Sequence, residues 1–236
     1  MTTKALDGQL AVVTGASRGI GAAIAEALGA CGAHVVVTAR TANDLEGVEQ
    51  RIFDAGGSAT IAPLDLTQTD AIAKLAAAVG ERWQALDLLV LNAATLGSLG
   101  SVPAIEPQEM ARVLTLNVSA QAALIGAFDP MLRRAKAGKV IGLTSSVGRA
   151  PRAYWGLYGA SKAAFETLVA AYGDEMAAIS RVRTAIVDPG ATRTTMRARA
   201  YPGEDPQSVK EPRVVGERIA GLAEAGFEDG HRERVG

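Results

Sequence analysis

Short apolar segments rich in β-branched residues alternate along this chain with longer segments of helical periodicity. This alternation is typical of parallel strands joined by helices that cover both faces of the sheet. It therefore predicts an α/β fold. Because ligands bind outside the carboxyl ends of the strands in such sheets, the residues that follow each strand are the first candidates for function.

We predict a single domain over residues 1–236, with a doubly wound, Rossmann-like, mostly parallel sheet. The predicted strands are Leu10–Thr14, His34–Ala39, Ala59–Leu64, Leu86–Asn92, Lys139–Ser145 and Arg183–Val187. The predicted helices lie near Ile20–Ala30, Ala42–Ala55, Gln68–Trp83, Pro107–Phe128, Tyr158–Ile179 and Pro212–Ala225. Residues 193–212 break the periodicity with three prolines and several charges, which predicts a lid or substrate loop.

Composition excludes several classes of function. The 24 basic and 25 acidic residues give a formal net charge of −1 with no basic block, so we expect no nucleic-acid partner. Cys31 is the only cysteine, and His34 and His231 are far apart, so we expect no metal site and no Ser-His-Asp triad. Residues 1–9 lack the apolar core of a signal peptide, and no run approaches the length of a membrane span. We expect a cytoplasmic protein without a membrane partner.

A glycine-rich turn directly follows the first predicted strand and precedes a helix. Its spacing is Gly-x-x-x-Gly-x-Gly, in the segment Thr14-Gly15-Ala16-Ser17-Arg18-Gly19-Ile20-Gly21. Such glycines let the backbone approach a pyrophosphate, whose charge is stabilised by the helix N-terminus. The alternative is an ordinary strand-to-helix turn with no ligand.

The end of the second predicted strand indicates which dinucleotide binds. An acidic residue there would accept a hydrogen bond from the ribose 2′-hydroxyl of NAD, but this chain has Ala39 followed by Arg40. Arg18 and Arg40 could bind a 2′-phosphate through charge-assisted hydrogen bonds. We therefore predict NADP(H) in preference to NAD(H). The alternative is that both arginines are simply solvated.

Three side chains form a candidate proton-transfer centre. Ser145 ends a predicted strand, Tyr158 begins a helix, and Lys162 follows four residues later. This spacing places the phenol and the ammonium on one helix face, about 5–6 Å apart at Cβ. A neighbouring cation and an oxidised nicotinamide would lower the pKa of Tyr158, which could then exchange a proton with a carbonyl or alcohol oxygen. Ser145 could donate a hydrogen bond to the same oxygen. Alternatively, Lys162 is only a snorkelling surface lysine.

Taken together, these motifs resemble the short-chain dehydrogenase/reductase family from Leu10 to about Ala225. The resemblance implies that Asp65 contacts adenine, that Asn117 supports a water-linked proton path to Lys162, and that Pro189-Gly190 cradles the nicotinamide amide. The implied catalytic residues are Asn117, Ser145, Tyr158 and Lys162. The implied cofactor contacts are Gly15, Ser17, Arg18, Gly19, Ile20, Gly21, Arg40, Asp65, Leu66, Asn92, Ala93, Tyr158, Lys162, Pro189, Gly190, Thr192 and Thr194.

Within that family the segments Trp155–Lys162, Thr192–Ala198 and Tyr201–Pro206 look like the YciK-type bacterial oxidoreductases. Two departures stand out. Ala94 replaces the last glycine of the usual Asn-Ala-Gly segment, which implies modest repacking. The seventh strand that is common in the family has only His231–Val235 as a candidate here. The resemblance implies a homodimer or homotetramer, but the short C-terminus makes an interface through the last helix and strand doubtful. An interface through the helices bearing Asn117 and Tyr158 remains.

The substrate is predicted to be a small carbonyl or alcohol compound. Aromatic, Met, Pro and Arg residues flank the candidate centre, namely Arg149, Pro151, Arg152, Tyr154, Trp155, Arg193, Met196, Arg197, Arg199 and Tyr201. The arginines could bind an anionic arm of the substrate. Alternatively, they are solvated or paired with Glu204 and Asp205, and we favour this second interpretation. Three hypotheses remain: a carbonyl reductase, an alcohol dehydrogenase that works oxidatively, and an NADP-binding sensor or scaffold without turnover.

Overall fold

The computed structural model describes residues 4–236. For Thr69 it describes only the backbone. In residues 4–236 seven strands form one sheet in the order β3-β2-β1-β4-β5-β6-β7, and every neighbouring pair is parallel. The strands are β1 Leu10–Thr14, β2 His34–Ala39, β3 Ser58–Pro63, β4 Leu88–Leu91, β5 Lys139–Leu143, β6 Arg183–Asp188 and β7 His231–Arg234. The predicted α/β fold class is confirmed.

Eight α-helices connect the strands in the part of the chain that the structure describes. They are α1 Gly19–Ala30, α2 Ala42–Asp54, α3 Thr69–Arg82, α4 Pro107–Leu114, α5 Ala120–Arg134, α6 Gly156–Ala177, α7 Thr195–Ala200 and α8 Pro212–Ala225. Two hydrophobic clusters lie on opposite faces of the sheet. One contains apolar residues of α1, α2 and α8, and the other contains those of α5 and α6. The strand order reverses between β1 and its neighbours β2 and β4, which is where open α/β sheets bind ligands.

The helix predicted over Pro107–Phe128 extends to Arg134, and it is not α-helical throughout. Residues Thr115–Ser119 form a π-helical turn between α4 and α5. Such turns contain one extra residue and are frequent at functional sites. The 3.6-residue periodicity of the sequence does not reveal a single inserted residue, so this turn was not predicted.

The same helical segment corrects one expectation about membranes. Pro107–Arg134 is long and apolar enough to span a bilayer by length and composition, with a mean hydropathy of 1.3 in its most apolar window. The segment also buries Leu124 and Phe128 completely in the core of the fold. Buried core helices pass the same length and composition test as membrane spans, so the match does not place the chain in a membrane.

The C-terminal region contains more regular structure than the sequence indicated. His231–Arg234 pairs in parallel with β6 as a seventh strand, and Val235 is buried beside it. Residues 193–212 contain the short helix α7 and a 3₁₀ turn at Pro206–Ser208. Both elements are too short to show a periodicity in sequence, and the prolines interrupt what pattern there is. The predicted lid function of residues 193–212 stays a prediction.

Candidate active site

The glycine-rich turn is fastened to the end of β4 by the Thr14 hydroxyl. Thr14 Oγ1 donates to the carbonyl oxygen of Val90 at 3.1 Å and accepts from the backbone N–H groups of Asn92 and Ala93 at 3.0 and 3.1 Å. The Asn92 side-chain amide donates to the carbonyl oxygens of Thr14 and Gly15 at 2.8 and 3.2 Å. Two sequence-predicted cofactor residues, Asn92 and Ala93, thus lie against the turn, and the Asn92 amide group braces it.

The structure explains why glycine stands at two positions of the turn. Gly15 has a φ of 64°, and a Cβ there would lie 2.9 Å from the Cα of Ala93. A Cβ at Gly21 would collide with the carbonyl oxygen of Gly15. Helix α1 begins at Gly19 without a side-chain cap and without an acidic residue in its first turn. The positive end of the helix dipole is therefore open to an anion, which fits a pyrophosphate.

The residues predicted to contact the adenosine part of the cofactor include charged side chains that follow β1, β2 and β3. Arg18 and Arg40 are both exposed. Asp65 Oδ1 accepts from the backbone N–H and the hydroxyl of Thr67 at 2.9 and 2.7 Å. These bonds lower the pKa of Asp65, with a smaller contribution from the Arg40 guanidinium. Leu66 beside it is buried.

Helix α6 carries Tyr158 and Lys162, and both side chains are buried. Lys162 Nζ lies 5.9 Å from the centroid of the Tyr158 ring and donates to the carbonyl oxygen of Leu143, the last residue of β5, at 2.8 Å. Burial lowers the pKa of Lys162 to about 8, opposed by the Glu166 carboxylate. A snorkelling surface lysine is therefore wrong as an interpretation of Lys162.

Burial of the Tyr158 side chain, followed by the negative charge of Asp188, raises the pKa of Tyr158 above its ordinary value. Lys162 directs its ammonium at the Leu143 carbonyl, and apolar side chains pack around the Tyr158 ring. The predicted lowering involves an oxidised nicotinamide as well as the Lys162 ammonium, so it stays a prediction.

Asn117 lies in the π-helical turn and joins two segments of the site. Its Oδ1 accepts from the backbone N–H of Thr95 at 2.8 Å, and its Nδ2 donates to the Thr95 carbonyl at 2.9 Å and to Ser161 Oγ at 3.0 Å. The Ser161 hydroxyl in turn donates to the carbonyl oxygen of Tyr158 at 2.8 Å. The π turn, which contains one extra residue, thus carries the side chain that bonds to α6. Ser161 was not predicted as a site residue.

Glu166 is a second residue that sequence reasoning missed. It lies one turn after Lys162 on α6 and is buried, and its Oε1 accepts from the Thr144 hydroxyl at 2.7 Å. Its Oε2 accepts from Arg149 and Arg232, each at 2.7 Å. An acidic residue four positions after Lys162, within the largely apolar stretch of residues 163–171 in the helix, was the available signal, since buried carboxylates need partners.

The remaining predicted residues follow β5 and β6. Ser145 precedes a 3₁₀ turn, where its carbonyl accepts from the Gly148 N–H at 2.9 Å. The Thr192 hydroxyl is buried and donates to the carbonyl oxygen of Pro189 at 3.1 Å, and Gly190 adopts a φ of 65°. Thr194 caps helix α7 by accepting from the Arg197 N–H at 3.0 Å.

The predicted residues converge on one edge of the sheet. A Cβ at Gly19 would lie 3.3 Å from Thr194 Cγ2, so the glycine-rich turn and the segment after β6 face each other. Half-buried Ser17 and Ile20 belong to that turn. Arg40 and Asp65 lie farther out, after β2 and β3. Residues 4–236 contain no group of three or more His, Cys, Asp or Glu side chains that could hold a metal ion.

Comparison with known proteins agrees with this geometry. The family model described as short chain dehydrogenase matches residues 9–205. The chain is 36% identical to the oxidoreductase YciK of Escherichia coli K12 over 210 residues, which are 88% of this chain and 82% of that protein. The solved structure of YciK from E. coli has a TM-score of 0.93 and 32% identity, covering 100% of this chain and 98% of that one. An E. coli CFT073 protein solved in complex with NADPH also has a TM-score of 0.93 and 32% identity, covering 100% and 99% of the two chains. The resemblance to the YciK type is confirmed.

Proposed function

Because this chain belongs to the short-chain dehydrogenase family and is an oxidoreductase, we propose that it transfers hydride between NADPH and a carbonyl or alcohol substrate with Tyr158 as general acid/base. One observation carries the proposal. Buried Tyr158 and Lys162 stand on α6 at the same sheet edge as the glycine-rich turn, beside the end of β5, where Ser145 follows. A candidate proton donor and a cation thus lie at the same end of the sheet as a turn suited to bind phosphate, which supports the proposal.

The residues of this chain supply the proton chemistry. When bound, NADPH supplies a hydride to the carbonyl carbon and becomes NADP⁺, while the C=O π bond is replaced by a C–H and an O–H bond. Tyr158 donates the proton to the oxygen, and Ser145 donates a hydrogen bond to the same oxygen. Lys162 stabilises the phenolate that Tyr158 becomes, and it can hold ribose hydroxyls. Asn117 fixes the loop at Thr95 against the start of α6.

The raised pKa of Tyr158 suits a general acid, because burial disfavours the phenolate. In alcohol oxidation the same side chain would act in reverse as the general base, so kinetics in both directions distinguish the reductase from the oxidative alcohol dehydrogenase. We propose reduction first and keep the oxidative alcohol dehydrogenase as the second candidate.

We propose NADP(H) rather than NAD(H) as the cofactor. The uncapped N-terminus of α1 would hold the pyrophosphate through the turn from Gly15 to Gly21. Exposed Arg18 and Arg40 would bind the 2′-phosphate, since Ala39 offers no carboxylate to repel it. The related E. coli CFT073 protein was solved with NADPH, which supports the same choice. The other proposed contacts are Asp65, Leu66, Asn92, Ala93, Pro189, Gly190, Thr192 and Thr194.

The function is tested by NADPH oxidation over a panel of ketones and aldehydes, with Tyr158→Phe and Tyr172→Phe compared. We expect Tyr158→Phe to lower turnover by roughly 10²–10⁴ while NADPH affinity, from fluorescence titration, stays within about threefold. Tyr172 is the matched control, because it is a buried tyrosine on the same helix whose hydroxyl donates to Asp129 at 2.9 Å. Its variant should lose stability but retain turnover.

Two results would contradict this function. Turnover in Tyr158→Phe equal to that of the unchanged protein would remove Tyr158 from the mechanism. Tight NADPH binding without oxidation by any carbonyl compound would instead favour the sensor or scaffold.

We also propose that the protein is cytoplasmic and forms a homodimer or homotetramer. Cell fractionation would test the location, and light scattering would test the oligomeric state.

A further inference from the structure

Apolar side chains pack around the Tyr158 ring. Leu96 and Val147 are buried with Tyr158 in a separate small cluster, and four half-buried residues pack against it, namely Leu99, Trp155, Met196 and Ala200. The Trp155 ring lies edge-on to Tyr158 at 6.1 Å between centroids and 5.6 Å from the ring of Tyr201. Three aromatic rings therefore form one wall running from the catalytic helix to the end of α7.

The guanidinium stacked on this wall, that of Arg197, is paired with a carboxylate. Arg197 binds Glu204 with two hydrogen bonds, from Nε to Oε2 at 2.6 Å and from Nη2 to Oε1 at 2.5 Å. The same guanidinium stacks over the Tyr201 ring at 3.7 Å from its centroid. Parallel bonds of this kind occupy the edge that a substrate carboxylate would use. The predicted pairing with Glu204 is therefore present, whereas Asp205 accepts from the Gln207 N–H instead.

The other arginines around the site are also engaged or lie in solvent. Arg193 is paired with Glu211, and Arg149 with Glu166. Arg152 is exposed and its Nη1 donates to the Tyr201 hydroxyl at 3.3 Å. Arg199 is exposed as well, where its charge is screened by water and salt. Three of the five arginines that flank the site, Arg149, Arg193 and Arg197, are therefore paired with carboxylates within the chain, whereas Arg152 and Arg199 are exposed to solvent.

An apolar rim continues from the wall to the surface. Tyr154 directly precedes Trp155, is 66% exposed and has a φ of 70°, a conformation that non-glycine residues rarely adopt. Its carbonyl accepts from the Gly100 N–H at 3.0 Å. Val102 is 67% exposed, and its Cγ2 would lie 2.9 Å from a Cβ at Gly156. Strained backbone and exposed apolar groups beside a candidate active site are typical of a binding surface.

We propose that the substrate is an uncharged ketone or aldehyde with an aromatic or aliphatic group beside the carbonyl, which packs on the wall of Trp155, Met196 and Tyr201. Anionic carbonyl compounds are disfavoured because a carboxylate packed on this wall would lose its hydration, while the guanidinium stacked on Tyr201 is already bound to Glu204 and Arg152 lies in solvent. The inference rests on the proposed hydride transfer with Tyr158 as proton donor, and it names the substrate class for that site.

The test compares two ketones of similar size under saturating NADPH, 4-(4-methylphenyl)-2-butanone and its para-carboxylate analogue. We expect kcat/KM for the methyl compound to be at least about tenfold higher. Along the 2-alkanones from butanone to heptanone, kcat/KM should rise about threefold to fourfold per methylene if the chain packs on the wall. Equal or better turnover of the carboxylate would overturn the substrate class while leaving the proposed function intact. Absence of NADPH oxidation with every ketone would instead overturn both.

The variant Glu204→Gln tests whether the Arg197–Glu204 ion pair, rather than the apolar wall alone, disfavours anionic substrates. This change frees the Arg197 guanidinium, so the ratio of kcat/KM for the carboxylate to that for the methyl compound should rise at least about tenfold. Glu217→Gln is the matched control, since Glu217 pairs with Arg213 on the exposed face of α8 and should leave the ratio unchanged. An unchanged ratio in Glu204→Gln would show that the pairing of Arg197 with Glu204 is not what disfavours anionic substrates, and the argument from neutralised arginines would fail.

Discussion

Glu166 accepts a hydrogen bond at 2.7 Å from the hydroxyl of Thr144, the residue directly before Ser145. The same carboxylate also accepts from Arg149 in the loop after β5 and from Arg232 in β7. It therefore joins three elements around the candidate proton-transfer centre. Because it lies one turn after Lys162, its charge also acts on the Lys162 ammonium.

Glu166→Gln should shift the pH dependence of carbonyl reduction. Burial lowers the pKa of Lys162 to about 8, and the Glu166 carboxylate opposes that lowering by stabilising the ammonium. If reduction requires charged Lys162, kcat/KM falls as pH rises through this pKa. Removing the carboxylate lowers the pKa further, so the alkaline limb should move to lower pH. The measurement is kcat/KM between pH 6 and 10.

The matched control is Glu26→Gln, because Glu26 also pairs with an arginine, Arg51, but lies on α1 away from Lys162. Its pH profile should match that of the unchanged protein. An alkaline limb that stays in place in Glu166→Gln, with activity lowered equally at every pH, would indicate a purely structural role for Glu166.

Arg40→Ala should weaken binding of NADPH selectively. A hydrogen bond to a charged group contributes about 1.5–3 kcal/mol, so KM for NADPH should rise roughly tenfold to a hundredfold while KM for NADH changes little. Arg51→Ala, on the exposed face of α2, is the control and should change neither value. Parallel changes for both cofactors in Arg40→Ala would speak against contact between Arg40 and the 2′-phosphate.

The fold could be predicted because its signals are local. β1 and β2 have the predicted bounds, since continuous β-branched segments such as Val35–Val37 are buried on both faces of a parallel sheet. β4 is shorter than predicted because Leu86 is bonded to Met131 instead of pairing in the sheet. The seventh strand was in doubt because His231–Arg234 is charged. Its polar side chains are accommodated because β7 is the outermost strand of the sheet, where Glu233 pairs with Arg218.

The candidate site was only partly predictable, for a different physical reason. Lys162, Tyr158 and the glycine-rich turn have fixed spacings along the chain, and the structure places them at one sheet edge. The hydrogen bonds that hold them join residues far apart in sequence, as Asn117 and Ser161 are, and no periodicity specifies such a pair. The direction of the pKa shift of Tyr158 depends on its burial, which sequence spacing does not give.

Asn117→Ala should lower both stability and turnover. Asn117 is 1% exposed, and its loss leaves the Thr95 N–H and carbonyl without their side-chain partner. We expect the free energy of unfolding to fall by about 2–4 kcal/mol and kcat of the folded enzyme to fall at least tenfold, measured by urea denaturation and NADPH oxidation. Thr115→Ala, in the same π turn, is the control, because its hydroxyl bonds only the preceding helical turn. Reduced stability with an unchanged kcat would limit Asn117 to a structural role.

Arg232→Met tests whether the C-terminal strand is coupled to the catalytic helix. Arg232 donates to Glu166 at 2.7 Å from β7, and methionine retains most of the apolar stem. Because Arg232 is partly exposed, with 35% of its side chain accessible, we expect the single variant to cost only about 1 kcal/mol of unfolding free energy. Combined with Glu166→Gln, the two changes should cost less than the sum of the single variants by at least about 0.5 kcal/mol, because they remove the same bond. Arg213→Met with Glu166→Gln should be additive, since Arg213 pairs with Glu217 on the exposed face of α8. Additivity for Arg232 as well would mean that β7 stabilises the sheet without any energetic link to Glu166.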